Sequence, residues 1–354
     1  MLQRGGAEVT VLGFRRSDTP ITQILGAPVF DLGRSFDAKL AHRAGSVLKS
    51  VLGAGRWREA VAGAQVVMAR NLEMLAIAAR VRALAAPGAN LVYECLDIHR
   101  MMLSAGAPGR LLRGLERHLL RSCSLLVVSS PAFLTHYFQA IQGTHTPALL
   151  AENKVVVADA AQVARPRAPD LASGPPWRIG WFGMIRCAKS LELLAALARA
   201  HPDLVQVTIR GRPAYHEFDD FQDIVDRTPG MSFEGPYSRA DLERIYGEVH
   251  FTWAIDYFEE GQNSDWLLPN RLYEGGLHGS VPIALASVET GRWLAARQAG
   301  LLLADPAQEL ADRLSRLTPE QYAMLFSRTA QIPTADLASD DGDARAMVQR
   351  LAAA

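Results

Sequence analysis

The stretch Leu267–Ile283, LLPNRLYEGGLHGSVPI, reads as the end of a loop, a short helix and the start of a strand. Pro269 suits a first helical position, where its missing N–H costs nothing. Asn270 to His278 then form the helix, Gly279 closes it, and Val281-Pro282-Ile283 opens the strand. Arg271 and Glu274 stand three residues apart and share a face. The free N–H groups and positive dipole end at Asn270 suit a phosphate. One turn on, about 5.4 Å along the axis, a carboxylate can accept two hydrogen bonds from a sugar diol. Diphosphate and then ribose would match that spacing, as in a nucleotide-sugar. The competing reading is an ordinary helix with a surface Arg–Glu pair, worth little in stability. Against it stands Gly275-Gly276: glycine inside a helix costs about 1 kcal/mol relative to alanine, so something approaches the backbone closely there.

A chain of 354 residues points to two domains rather than one. Apolar content of 49% with 21% charged residues describes a globular protein with a sizeable core. Lys and Arg together number 37, as do Asp and Glu, so no global field recruits nucleic acid or membrane. Cys95, Cys123 and Cys187 are scattered without metal spacing, which fits buried thiols in a reducing compartment. The sequence has no secretory signal and no uninterrupted apolar run of about 20 residues, the length a membrane helix needs. The expectation is a cytoplasmic protein, with peripheral attachment to the inner membrane open.

Met1 to Gly6 read as the last turn of a helix with a glycine cap, leading to a strand at Glu8–Leu12. A doubly wound domain begins with a strand ahead of such a helix, at the middle of its sheet. None precedes it here, so either the frame starts upstream or the first sheet lacks that strand. Further strands are expected at Ala27–Leu32, Ala64–Ala69, Leu91–Cys95, Leu125–Val128, Ala148–Leu150 and Val155–Val157. Helices are expected at Asp37–Leu52, after Asn71, and over Pro108–Arg121. Pro166, Pro169, Pro175 and Pro176 mark residues 164–177 as a linker. Beyond it the alternation restarts, with strands at Arg178–Phe182, Gln206–Arg210, Met231–Glu234, Phe251–Ala254 and Leu301–Leu303. Helices are expected at Ser190–Ala200, Glu217–Arg227, Arg239–Tyr246 and Gly291–Ala299. The division is thus 1–163, the linker, 178–330, and a terminal helical segment 331–354. Such alternation means α/β domains with parallel sheets covered on both faces.

Ligands of open parallel sheets bind beyond the carboxyl ends of the strands. In the first domain the polar residues there are Arg70, Asn71, Asp97, His99, Ser129 and Ser130. In the second they are Gly183 to Lys189, Arg210-Gly211, Glu234 to Tyr237 and Asp256 to Asn270. Two such rims facing each other across a cleft make a site for two substrates. Gly183 allows close backbone approach, and Arg186 and Lys189 can neutralise a departing diphosphate; the alternative is a turn glycine beside solvated cations. The loop lacks the dinucleotide glycine fingerprint and an acid at the ribose offset. Asp97 or His99 can take the proton from an acceptor hydroxyl, Asp97 ranking first because a lone histidine is more often structural. Arg70 and Asn71 can orient hydroxyls or simply start a helix. Arg100 to Arg121 mix five arginines with leucines and methionines, which describes a helix resting on anionic lipid or a core helix with a solvated basic face.

These phrases resemble the two-domain GT-B glycosyltransferases, and among them bacterial exopolysaccharide enzymes of the succinoglycan-biosynthesis type. The resemblance is carried by Met68–Glu73, Tyr93–His99, Ser129–Phe133, Glu152–Lys154, Gly180–Arg186 and, most specifically, Leu268–Glu274. It implies two Rossmann-like domains, the first binding acceptor and the second a UDP-linked nucleotide-sugar. It also implies transfer of a hexosyl or hexuronosyl group to a lipid-linked saccharide, with no bound metal and no other cofactor. Glu274 takes the ribose position; Asn270, Arg271, Arg186, Lys189 and Gly183 the diphosphate region; Gly235 and Tyr237 the base. In an inverting enzyme Asp97 would deprotonate the incoming hydroxyl; Asp97 and His99 stay the candidates for proton transfer, and Arg70, Asn71 and Ser129 those for the acceptor side. Two features depart from the pattern. Retaining members of the wider group carry a second Glu eight positions before the ribose ligand, and Trp266 stands there; the first strand is also absent. The alternatives are a nucleotide-sugar epimerase and a non-catalytic binding subunit on the same scaffold.

Overall fold

The computed structural model describes residues 1–34, 40–164, 166 and 174–354. The expected start of the first helix at Asp37 and most of the linker, Pro169 included, lie outside the described residues. The chain divides into two compact units, Met1–Glu152 with Asp341–Ala354, and Asn153–Asp340.

In the first unit the opening residues form helical turns, Gly5 N–H donating to Met1 O at 2.9 Å and Gly6 N–H to Gln3 O at 3.0 Å. The strand that follows is β1 (Val11–Arg15), three residues later than Glu8–Leu12. It pairs in parallel with β3 (Ala27–Arg34), and β2 (Gln23–Ile24) adds an antiparallel edge. A second sheet contains β4 (Val66–Arg70), β5 (Asn90–Cys95), β6 (Leu125–Val128) and β7 (Ala148–Leu150), in that order and all parallel. Its buried face joins Val92, Leu125 and Val127 to Leu351 of the terminal helix Asp341–Ala352. That helix is tied on by Asn90 Nδ2, which donates to the carbonyls of Leu351 (3.2 Å) and Ala352 (3.0 Å). Buried Glu116 accepts from Tyr93 Oη at 2.8 Å, Tyr137 Oη at 2.5 Å and the Gln142 side-chain amide. Such a carboxylate is tolerable in a core only because each oxygen is satisfied.

In the second unit six parallel strands lie in the order β11-β10-β9-β12-β13-β14. They are β9 (Trp177–Ile185), β10 (Val205–Pro213), β11 (Met231–Phe233), β12 (Phe251–Trp253), β13 (Val281–Leu285) and β14 (Leu301–Leu303). Counted within the unit this is 3-2-1-4-5-6, the doubly wound order whose switch point falls between its first and fourth strands, here β9 and β12. The pair β8 (Val155–Val156) and β15 (Ala338–Ser339) runs alongside as a separate parallel ladder. Trp177, Trp181 and Trp253 fill the core around this sheet. Their polar edges are met where needed: Trp253 Nε1–H donates to Ser190 Oγ at 3.1 Å and Trp177 Nε1–H to Leu314 O at 3.0 Å.

At the carboxyl ends of β9 and β10 the register sets Gly183 opposite Gly211, with φ of +112° and +134°. A Cβ on Gly211 would lie 1.8 Å from Gly183 O, whereas one on Gly235 (φ +75°) meets nothing within 4 Å. Gly211→Ala should therefore cost more than about 3 kcal/mol, a backbone clash added to left-handed strain. Gly235→Ala should cost only about 1–2 kcal/mol. Urea unfolding of the two variants checks the contrast, and equal losses would contradict it.

Candidate functional site

The helix Asn270–His278 follows β12 after a sixteen-residue connection, residues 254–269, that includes the short helix Asn263–Trp266, and Arg271 on its first turn reaches back to Ile255, just past β12, at the switch point. Pro269 (φ −73°, ψ 148°) is its cap residue rather than its first helical one, and no side chain caps the first N–H groups. Gly279, at φ +86°, ends it. Arg271 is 9% exposed. Its Nη2 donates to Ile255 O at 2.8 Å, while its Nε is buried with no partner among the described residues. A buried donor left over in this way asks for a ligand or a water. One turn along, Glu274 Oε2 accepts from Tyr246 Oη at 2.8 Å. Burial raises the Glu274 carboxyl above its usual range, with Tyr246, Arg271 and Arg239 each pulling it partly back.

Tyr237 belongs to the same cluster. Its hydroxyl is raised by burial first and by the Glu274 charge second, and Arg271 opposes the shift. Phe182 stands edge-on to both Tyr237 and Tyr246, with centroids 6.2 and 5.0 Å apart. A Cβ at Gly183 would come within 3.9 Å of Tyr237 Oη. The close approach expected at Gly275-Gly276 is made by the protein itself. A Cβ at Gly275 would lie 2.7 Å from Thr252 Oγ1, and one at Gly276 2.8 Å from Leu337 Cδ2. The glycines thus seat the helix on β12 and on the Thr334–Leu337 turn of helix.

Arg186 and Lys189 stand across the switch point, after β9. Both have carboxylate company from the loop after β12. Arg186 Nη2 is 3.7 Å from Asp256 Oδ2 and its guanidinium lies 4.6 Å from the Phe258 ring centroid. Lys189 Nζ donates to both Glu260 oxygens at 2.7 and 2.6 Å and sits 4.2 Å from the centre of Tyr257. Asn270 is exposed on the first turn of its helix.

In the first unit the candidate residues follow the carboxyl ends of β4, β5 and β6. Arg70 Nε meets Glu94 Oε2 at 2.5 Å, and Asn71 starts the helix Asn71–Ala85 with φ +69°. Left-handed backbone is uncommon in a non-glycine residue, Asn being among the most tolerant. Asp97 and His99 are exposed. His99 caps the short helix Arg100–Leu103, its Nδ1 accepting from Met101 N–H at 3.2 Å. In the neutral ring Nε2 must then carry the proton. Ser129 is 2% exposed and donates its hydroxyl to Leu96 O at 3.1 Å, pinning the loop that carries Asp97. Among the described residues no group of three or more His, Cys, Asp or Glu has the arrangement of a metal site.

Over 99% of its length the chain is 47% identical to succinoglycan biosynthesis protein ExoL of Rhizobium meliloti (strain 1021), covering 88% of that protein. The chain belongs to the ExoL family of succinoglycan biosynthesis proteins. No family model matches the sequence. Two solved structures show that this ExoL-family chain has the GT-B fold. The sucrose-phosphate synthase tll1590 of Thermosynechococcus elongatus superposes with a TM-score of 0.73 at 16% identity, over 99% of this chain and 89% of that one. Anabaena Alr3699/HepE in complex with UDP gives 0.63 at 16% identity, over 92% and 86%.

Sequence reasoning passed over Tyr246, which at the end of an amphipathic helix reads as core. It also passed over Gly211 as the partner that forces the backbone at Gly183; two glycines at the ends of successive strands were the available signal. The raised Glu274 carboxyl has a consequence for stability. A buried acid whose folded pKa lies above its unfolded one binds protons more readily when folded, so the destabilisation from its charge grows as pH rises through that window. Glu274→Gln should therefore melt higher than the wild type at pH 8, with the gap shrinking toward pH 4. A gap that is constant with pH in scanning calorimetry would contradict this.

Proposed function

We propose that this chain is a glycosyltransferase that moves a hexosyl or hexuronosyl group from a UDP-linked sugar to a lipid-linked saccharide during exopolysaccharide assembly. Membership of the ExoL family and the GT-B fold support the reaction class, and the UDP held by HepE supports the donor. The observation that carries the donor assignment is Arg271: nine-tenths buried, with Nε unused, on the first turn of a helix at the switch point. The uncapped N–H groups beside it add partial positive charge.

In this scheme Arg271 and the helix end stabilise the diphosphate as the glycosidic bond to it breaks. Arg186 and Lys189 exchange their carboxylate partners for phosphate oxygens. Glu274 accepts from the ribose diol, and the Gly235–Tyr237 turn faces the base. The sugar passes through an oxocarbenium-like transition state. Asp97 takes the proton of the incoming hydroxyl, while His99, whose Nδ1 serves the Met101 N–H, contributes a donor. Arg70 and Asn71 orient the acceptor, and Ser129 sets the loop from behind. No resident cofactor enters this scheme. Asp97→Asn should lower kcat about 100-fold or more with UDP affinity intact, whereas Arg271→Ala should weaken UDP binding and transfer together by about 100-fold. Steady-state kinetics with calorimetric UDP titration separate the two, and a wild-type rate in either variant removes that residue from its role.

The same scheme places the protein at a membrane surface. Among the described residues no helix is long and apolar enough to cross a bilayer. The helix Ala107–Leu120 buries Glu116 and Leu120 but leaves Leu111 75% and Leu115 42% exposed. Arg110, Arg117 and Arg121 are exposed along the neighbouring flank. Leucines that enter the lipid interface beside cations over anionic headgroups make a reversible anchor. Replacing both leucines with serine should cut sedimentation with phosphatidylglycerol vesicles by about tenfold or more, and undiminished binding would rule this helix out.

A further inference from the structure

Tyr246 has no role in the scheme above, yet it is enclosed beside the donor cluster. It lies on the helix Leu242–Gly247 and is fully buried. Phe182 meets its ring edge-on at 5.0 Å, and His278 stacks over it at 6.2 Å with planes 17° apart. Held on these sides, the phenol delivers its O–H to one place, Glu274 Oε2 at 2.8 Å. We infer that Tyr246 is a positioning residue for the donor: its hydroxyl keeps the Glu274 carboxylate ionised and oriented so that it can accept both hydroxyls of a ribose.

This rests on the donor reading of Glu274. An ionised carboxylate offers about four acceptor positions; one hydrogen bond from Tyr246 leaves enough for a diol. A protonated carboxyl turns one oxygen into a donor and loses that match. Burial pushes Glu274 toward the protonated form, and the bond from Tyr246 is first among the influences that oppose it. The other ionisable groups around the pair are Arg271 and Arg239, Tyr237, and His278 with Glu243 beside it. Tyr237, pushed up by burial, stays neutral between pH 5 and 8. His278, lowered by burial, is the neighbour whose charge can change at the acid end of that range.

UDP affinity needs the carboxylate, so it falls as pH drops through the Glu274 pKa. Tyr246→Phe removes a bond that favours the charged form, raises that pKa further, and starts the loss about one to two pH units higher. Calorimetric UDP titrations from pH 8 to pH 5 test this with the wild type, Tyr246→Phe, Glu274→Gln and the double variant. The titration of UDP itself cancels in the ratio of Kd values at each pH. The expected result is a Tyr246→Phe to wild-type ratio that grows about tenfold toward acid and is flat on the Glu274→Gln background, which also isolates His278.

A ratio flat with pH on the wild-type background means that Tyr246 only packs, and overturns the inference. Equal UDP affinity of Glu274→Gln and wild type at pH 8 overturns the donor reading instead, and no UDP binding by the wild type overturns both. Should Tyr246→Phe fail to fold, the Tyr246 hydroxyl proton of the wild type is followed by NMR. A shift on adding UDP supports the pair as part of the site, and no shift overturns it.

Discussion

Taking a guanidinium and a carboxylate out of water on one nine-residue helix is the constraint the second unit is built to meet. A buried charge without partners costs several kcal/mol. Arg271 is held by the Ile255 carbonyl at the end of β12 and Glu274 by a phenol. Arg271 also favours the charged form of Glu274. The helix that carries them cannot drift, because Gly275 sits against Thr252 and Gly276 against Leu337 with no room for a methyl group. The strand order then decides where the pair ends up, since it reverses between β9 and β12. Packing, electrostatics and topology thus converge on one turn of backbone.

How much of this could be read from residues alone depends on how local the cause is. Asn270–His278 has the same bounds in sequence and structure because proline and glycine punctuate both ends. Leu125–Val128 and Leu301–Leu303 agree for a related reason, short apolar runs between breakers. The expected helix Glu217–Arg227 is instead a 3-10 turn at Tyr215–Glu217 and a helix at Phe221–Asp226. Asp220 divides them, its side chain accepting from Asp223 N–H at 3.0 Å. Ser238 and Asp241 form a capping box that starts the next element at Arg239 as a 3-10 turn, which runs on into the helix Leu242–Gly247. The partners that define the site had no local signature. Glu260 lies 71 residues from Lys189, and Tyr246 lies 28 from Glu274. Only the folded sheet brings them together.

The two units present their polar residues under different physical conditions. On the second, Arg271, Glu274, Tyr246 and Tyr237 are wholly or partly buried and each is coupled to the others, so a change in one is felt by all. On the first, Arg70, Asn71, Asp97 and His99 are exposed, and the buried residue nearby, Ser129, works on the backbone. Exposed polar residues on a sheet rim can be exchanged at little cost to stability. A scaffold of this kind can hold the coupled cluster of its second unit steady while the exposed rim of its first varies.

The helix Asp341–Ala352 packs into the first unit although the whole second unit precedes it in the chain. During synthesis the sheet β4–β7 therefore waits, its Val92–Leu125–Val127 face uncovered by Leu351, until the ribosome has made the intervening lobe. The second lobe, whose core is contiguous in sequence, has no such delay. The lobe made first is the one completed last, and its open apolar face is the part of the nascent chain most in need of a chaperone.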